Sequence, residues 1–416
     1  MPSWFDGARF GMFVHWGHSS QRGIELSWPL VGGVGALPGS ADLPADEYHA
    51  TAATFAPRPG AARDWLARAR RAGMRYAVLT AKHHDGFALW PTAAGGLSIA
   101  DSAYRGDLVR EFVDAAREND LRVGLYYSLS DWHHPDYPRF RDEHRPYRFG
   151  RVPRPTKEQW ARFLAFQSAQ LRELLTGYGR IDLLWFDGGW ERTPEEWRAK
   201  EIAALARELQ PEILLNDRLP GEGDFDTPEQ FIPPLPPARR WETCMTMNES
   251  WGYAPNDAHY KSARALVHGL CEVASRGGNL LLNVSPMADG ALPAEQTARL
   301  DALARWMQSH AASVHESVPG LEPWQFYGPT TRRGDRIYLH LLMRPYETVT
   351  VRGVPIKRVR GARALASGRA LEFDKRCSVL DRMFNADPQG EIAIRVPEDA
   401  IDPLATVIEL DVAPVP

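Results

Sequence analysis

Over the first three quarters of the chain, short runs that are apolar at nearly every position alternate with stretches of helical periodicity. Residues 10–14, 76–80, 123–127, 181–186, 212–215 and 280–284 form such runs. Continuous apolarity marks strands covered on both faces, as in a parallel sheet flanked by helices. Further strands are expected near Ile24 and over residues 240–245. The intervening segments carry helix-start signals. Thr193-Pro194-Glu195-Glu196 places a hydroxyl at the N-cap, Pro at the first helical position and Glu at the third. Thr156 and Gln159 repeat that pattern ahead of Trp160, Phe163, Leu164 and Leu171, which recur at helical spacing. A helix over about 64–72 stops at Gly73, a residue suited to a C-terminal cap. No Gly-rich phosphate loop follows the first strand. The expectation is therefore a (β/α)8-like, TIM-type barrel rather than an open doubly wound sheet.

After a helix expected over about 295–314 the period changes from helical to two. Residues 336–343, 348–354, 391–396 and 406–412 read as strands separated by Gly, Pro and Asp turns. Thr348-Val349-Thr350-Val351 and Ile392-Ala393-Ile394-Arg395 alternate as half-exposed antiparallel strands do. The pattern predicts a catalytic barrel domain over 1–320 and a small antiparallel β-sandwich domain over 321–416. Pro233-Pro234-Leu235-Pro236-Pro237 reads as an extended loop within the barrel.

Composition narrows the function classes. A net charge of −4 with no basic run excludes a nucleic-acid binder, whose footprint is a basic face. No segment approaches the roughly 18 apolar residues of a membrane span. Cys244, Cys271 and Cys377 form no close-spaced metal or redox motif, which suits a reducing compartment. The start MPSWFDGARFGMF lacks the basic and apolar regions of a secretory signal, so a cytoplasmic location is expected. The 14 tryptophans are many for this length, and on count alone they belong to the core.

In a β/α barrel the reacting groups close the strands at their C-terminal ends. Here Phe13-Val14 is followed by His15-Trp16-Gly17, and Val78-Leu79-Thr80 by Lys82-His83-His84-Asp85-Gly86. Leu125 precedes Tyr126-Tyr127-Ser128, Trp185-Phe186 precede Asp187-Gly188-Gly189, and Leu214-Leu215 precede Asn216-Asp217-Arg218. Five such segments at one end of a barrel outline one pocket. His83 and His84 are adjacent, so on a strand their rings face opposite sides and do not share an ion; no Cys or Glu partner completes a zinc set. Neither a metal nor a cofactor is expected. A bend at the strand end would let both histidines bind ligand hydroxyls.

Asp187, a carboxylate closing an apolar strand before two glycines, is the strongest single candidate. Glycoside hydrolysis needs a second carboxyl group: one attacks or stabilises the anomeric carbon, the other protonates the leaving oxygen and then deprotonates water. Glu229, Glu242 and Glu249 are all available downstream, and periodicity does not choose among them.

These residues resemble the α-L-fucosidases of glycoside hydrolase family 29. The likeness rests on Arg9-Phe10-Gly11-Met12-Phe13-Val14-His15-Trp16-Gly17, Ala81-Lys82-His83-His84-Asp85-Gly86-Phe87, Trp185-Phe186-Asp187-Gly188, Trp251-Gly252-Tyr253 and Gly277-Gly278-Asn279-Leu280-Leu281-Leu282-Asn283. It implies a retaining, exo-acting α-L-fucosidase working through a covalent fucosyl-enzyme on fucosylated oligosaccharides or glycosides. By resemblance Asp187 is the nucleophile. His15, Trp28, His83, His84, Tyr126, Trp185 and Arg218 line the sugar pocket, with Trp251 beside the fucose methyl group. Glu229 matches the acid/base of several members, with Glu242 in the Trp241-Glu242 pair as fallback acid/base or substrate contact.

One departure stands out. Many members carry an acidic residue beside a tryptophan in the first β/α loop; here Ser27 precedes Trp28 and Glu25 is displaced by two. Three other readings compete. A glycosidase for another α-L-sugar such as L-galactose would have to lose the methyl-binding wall. A catalytically inactive carbohydrate-binding barrel would have shed one of its carboxylates. A metal-dependent hydrolase built on His83 and His84 would be stopped by chelators.

Overall fold

The computed structural model describes residues 4–32, 43–137, 141–145 and 154–414. Met1, Pro2 and Ser3 of the N-terminal stretch read above lie outside them. Seven parallel strands form one sheet: β1 (Phe10–Val14), β2 (Tyr76–Lys82), β3 (Arg122–Ser128), β4 (Leu183–Asp187), β5 (Leu214–Leu215), β6 (Glu242–Met245) and β7 (Asn279–Val284). Their order is β5-β4-β3-β2-β1-β7-β6. Helices Ala61–Arg71, Leu108–Glu118, Lys157–Gly177, Ala199–Leu209 and Ala263–Ser275 connect successive strands, and Ala294–Val314 follows the last. The Thr156 and Thr193 capping boxes both form. The Thr193 helix ends after one turn at Trp197, and Arg198 at φ 53° breaks it before the next helix begins.

Each strand of the curled sheet buries both of its faces. Phe10, Met12, Val14, Leu79, Leu125 and Phe186 belong to the layer that packs under the helices. Phe13, Tyr76, Val78, Tyr126, Trp185, Leu214, Cys244 and Leu281 form a separate inner cluster. Alternation along each strand thus sorts the apolar residues into an outer and an inner layer. Gly11 leaves room inside: a Cβ there would strike the Tyr76 ring.

Between β5 and β6 the chain forms no regular strand among the described residues. Residues 224–230 nevertheless hydrogen-bond to both sheet edges. Asp224 N–H donates to Leu215 O and Asp217 N–H to Phe225 O on one side. Glu242 N–H donates to Asp226 O, Cys244 N–H to Pro228 O and Gln230 N–H to Cys244 O on the other. Pro228 has no amide hydrogen, so a full ladder is impossible there. The strand expected near Ile24 is a turn instead, because Gly23 and Leu26 take positive φ angles. Residues 212–213 likewise stay outside β5.

From Val318 onward the strands are antiparallel. β8 (Val318–Pro319), β9 (Thr330–Arg333), β10 (Arg336–Leu341), β12 (Val359–Ala364) and β15 (Thr406–Val412) form one sheet, and β11 (Thr348–Pro355), β13 (Phe373–Arg376) and β14 (Gln389–Arg395) a second. Leu339, Ile408 and Leu410 of one sheet share a core with Val349, Val351, Ile392 and Ile394 of the other. This part is tied to the last helix of the parallel-sheet part by Trp306 Nε1, which donates to Ala405 O at 2.9 Å, and by Thr331 Oγ1, which donates to Ser313 O at 2.6 Å.

Candidate active site

The C-terminal ends of the parallel strands surround a cavity of about 190 Å³. That is small beside the roughly 300–1,000 Å³ of pockets for drug-sized ligands, and suits a single sugar ring. Phe13, His15, Trp28, His83, Tyr126, Trp185, Asp187, Trp190, Arg218, Glu229, Cys244 and Trp251 line it.

Asp187 ends β4, and Gly188 at φ 74° turns the chain immediately afterwards. One carboxylate oxygen accepts from the Tyr126 hydroxyl at 2.9 Å and the other from Arg218 Nη1 at 3.0 Å. The second terminal nitrogen of Arg218 donates to Glu229 Oε2 at 2.6 Å. One guanidinium therefore bridges both carboxylates and holds them a few ångströms apart. Burial alone would lower the Arg218 pKa, but Asp187 and Glu229 outweigh it and keep the group charged. The guanidinium also lies over the Trp185 ring, 4.6 Å from its centroid. Glu229 sits higher, with its side chain 38% exposed against 10% for Asp187. One carboxylate lies at the pocket floor, the other at its rim.

Three histidines stand close to Asp187. Burial pushes His15, His83 and His84 down to about 3, so all three are neutral near pH 7. His15 Nδ1 donates to Asn283 Oδ1 at 2.7 Å, and His83 Nδ1 meets Ser27 Oγ at 2.6 Å. His84 Nδ1 lies 2.6 Å from Ser128 Oγ, whose own hydrogen goes to Ser130 O. His84 Nε2 has no hydrogen-bond partner among the described residues and lies 3.6 Å from Asp187 Oδ2. With the ring neutral, this approach is not an ion pair. β2 ends at Lys82, and beyond it the two adjacent rings come within 4.2 Å of each other.

Two expected pocket residues are not among those lining the cavity. His84 is fully buried, yet its Nε2 stays 3.6 Å from Asp187 Oδ2. Glu242 is enclosed beneath the floor, where it accepts from the Tyr76 hydroxyl and from Trp185 Nε1 at 3.1 Å. Glu242 opens β6 instead of closing it; Cys244, two residues on and on the same face, is the one that reaches the cavity. Burial raises the Glu242 pKa to about 7. Glu249 pairs with His259 at 3.1 Å and is not among the lining residues. Among the described residues no group of three or more His, Cys, Asp or Glu could hold a metal ion, and no helix is long and apolar enough to cross a membrane.

Residues 1–312 match the family model described as Alpha-L-fucosidase. The chain belongs to the alpha-L-fucosidase family. It is 31% identical to the tissue alpha-L-fucosidase of Macaca fascicularis over 83% of this chain and 76% of that protein. The solved structure of alpha-L-fucosidase isoenzyme 1 from Paenibacillus thiaminolyticus superposes with a TM-score of 0.86 at 34% identity, covering 99% of this chain and 98% of that one. A Bacteroides thetaiotaomicron family 29 enzyme, solved as a trapped covalent intermediate with 2-fluoro-fucosyl fluoride, gives 0.81 at 26% identity over 99% and 95%.

In this alpha-L-fucosidase family member, Phe13, Cys244 and Trp190 are wall residues that pattern reasoning passed over. The first two read as core residues of apolar strands. Their signal was spacing: Phe13 lies two before His15 and Cys244 two after Glu242, so each shares its neighbour's face. Trp190 follows the Gly188-Gly189 turn and is 44% exposed at the mouth. Most other tryptophans are core, Trp65, Trp90, Trp132 and Trp197 among them.

Proposed function

We propose that this chain is a retaining, exo-acting α-L-fucosidase that cleaves terminal α-L-fucosyl linkages of oligosaccharides or glycosides. Asp187 attacks the anomeric carbon from the floor. Glu229, at the rim, protonates the departing glycosidic oxygen. The same carboxylate then takes a proton from the water that releases fucose. The observation that carries this is the Arg218 bridge, which joins a floor carboxylate to a rim carboxylate across a pocket of one-sugar size. The Tyr126 hydroxyl and Arg218 orient Asp187 for attack.

The neutral histidines His15 and His83 offer ring nitrogens to the sugar hydroxyls without adding charge to the site. Trp251 gives the C6 methyl of fucose an apolar wall, which the hydroxymethyl of L-galactose would not reward. The curled sheet is read as an eight-staved barrel whose eighth stave is the segment carrying Glu229. Hydrogen bonds from residues 224–230 to β5 and β6 support that. Residues 1–320 are taken as the catalytic domain and 321–416 as a β-sandwich domain.

The test is hydrolysis of an aryl α-L-fucoside by the wild type and by Asp187→Ala. Activity that collapses in the variant is the expected result. Activity that survives would remove Asp187 from the mechanism.

A further inference from the structure

Glu25 has no part in the chemistry above, yet it is fully enclosed at the mouth of the barrel. Its Oε1 accepts the amide hydrogen of Trp251 at 2.6 Å and its Oε2 that of Gly252 at 2.8 Å. Burial raises its pKa to about 8, with the two amides pulling the other way. A carboxyl group is expensive to enclose, and a structural staple between two loops does not require one.

The surroundings show how tightly the two loops are fitted. Gly23 sits at φ 60°, and a Cβ there would come within 2.5 Å of Pro255. A Cβ on Gly252 would approach Leu26 at 3.0 Å. Leu26 itself takes φ 46°, a conformation that L-residues keep only when the surroundings fix it. The Tyr48 hydroxyl lies 2.8 Å from both the Leu26 carbonyl oxygen and Asp85 Oδ2, the two acceptors for its one hydrogen. This one turn delivers Glu25 to Trp251, Ser27 to His83 and Trp28 to the cavity wall. On its other side the Trp251 carbonyl accepts from Asn283 Nδ2 at 2.7 Å, and Asn283 Oδ1 holds His15. The Trp251 peptide is thus pinned at both N–H and C=O.

We propose that Glu25 is a positioning residue for sugar specificity, fixing Trp251 at the depth where its indole meets the C6 methyl of fucose and so setting the preference for a methyl at C5. This rests on the reading of Trp251 as the methyl wall. Trp251 packs against His15, with ring centroids 5.0 Å apart, so its placement and that of a hydroxyl-binding histidine are set together.

The experiment compares kcat/KM for two aryl glycosides: the α-L-fucoside and the β-D-arabinopyranoside, which has the same ring and hydroxyls but hydrogen in place of the methyl. One methyl in a fitted pocket is worth on the order of 10-fold or more, and the wild type is expected to show that ratio. Glu25→Gln keeps the size but can accept only one of the two amides. The ratio is expected to fall about fivefold or more in Glu25→Gln, with the loss mainly on the fucoside. Trp251→Ala should abolish the ratio, and adding Glu25→Gln to it should lower it no further, since contacting residues couple. Equal losses on both substrates, leaving the ratio unchanged, would overturn the proposal and reduce Glu25 to a staple. If Glu25→Gln does not fold, Glu25→Asp, which retracts the carboxylate by one methylene, is read in the same way. A wild type that cleaves both glycosides equally would overturn the methyl-wall reading together with this proposal. A wild type inactive on both would instead strike the fucosidase reading itself.

Discussion

Arg218 and Asp187 meet at 3.0 Å on the pocket floor, and the same guanidinium reaches Glu229 with its other terminal nitrogen. The planar guanidinium presents a separate terminal nitrogen to each carboxylate, a fork that a lysine ammonium does not reproduce. Arg218→Lys keeps the charge but loses one of the two contacts. We expect kcat/KM for an aryl α-L-fucoside to drop roughly 100-fold, about 2.7 kcal/mol. A lysine variant within about threefold of the wild type would mean that the bridge is incidental.

Glu229 and Glu242 are separable by leaving group. A general acid matters most when the leaving oxygen is a poor leaving group, by about 10²- to 10⁴-fold. Glu229→Ala should therefore lose most activity on an alkyl or saccharide fucoside, keep more on a nitrophenyl fucoside, and regain turnover with azide. Glu242→Ala should show no azide rescue, because its carboxylate is enclosed between Tyr76 and Trp185, out of reach of the sugar. Rescue in Glu242→Ala and not in Glu229→Ala would reverse the assignment.

Much of this site was legible because strand ends announce themselves. An apolar run closing in His15, Tyr126 or Asp187 states both the burial of the strand and the polarity of its mouth. The choice between Glu229 and Glu242 was not legible. Glu229 lies on a segment with Pro228 and no alternation, so no period assigns it to the sheet, and only its hydrogen bonds to both edges place it at the rim. Glu242 was a candidate on the strand expected over residues 240–245. The ladder starts there, pairing Glu242 with Asn279 at the first residue of β7. The role of Glu25 was hidden for a different reason: its partners are backbone amides 226 and 227 residues away, which leave no trace in side-chain pattern.

Gly188 sets where Asp187 points. It holds φ 74°, and a Cβ there would run into the Ser130 hydroxyl and crowd Ser128, which anchors His84. Gly188→Ala is expected to cost about 1–2 kcal/mol of stability, read by denaturant unfolding. It should also lower kcat by about tenfold or more, because the displaced groups are Asp187, the proposed nucleophile, and its neighbours. A variant with normal kcat would show that the turn is tolerant.

Buried carboxyl groups should also leave a mark on stability against pH. Burial raises the Glu242 pKa from 4.5 to about 7, so the folded protein binds a proton there that the unfolded chain releases. Such a group contributes stability that is full below pH 4.5 and is lost as pH rises through 7; the rise corresponds to roughly 3 kcal/mol. Gln at this position stays neutral throughout, and its amide can serve the same two partners once the Tyr76 hydroxyl turns to accept. The buried histidines act in the opposite sense. With pKa values lowered to about 3, their contribution is present above 6.5 and lost toward acid. They are common to both proteins, so they cancel when variant and wild type are compared at each pH. Chemical unfolding of wild type and Glu242→Gln should therefore show the variant gaining on the wild type between pH 5 and pH 8. A difference that stays flat across that range would mean that Glu242 is ionised in the folded enzyme even at pH 5.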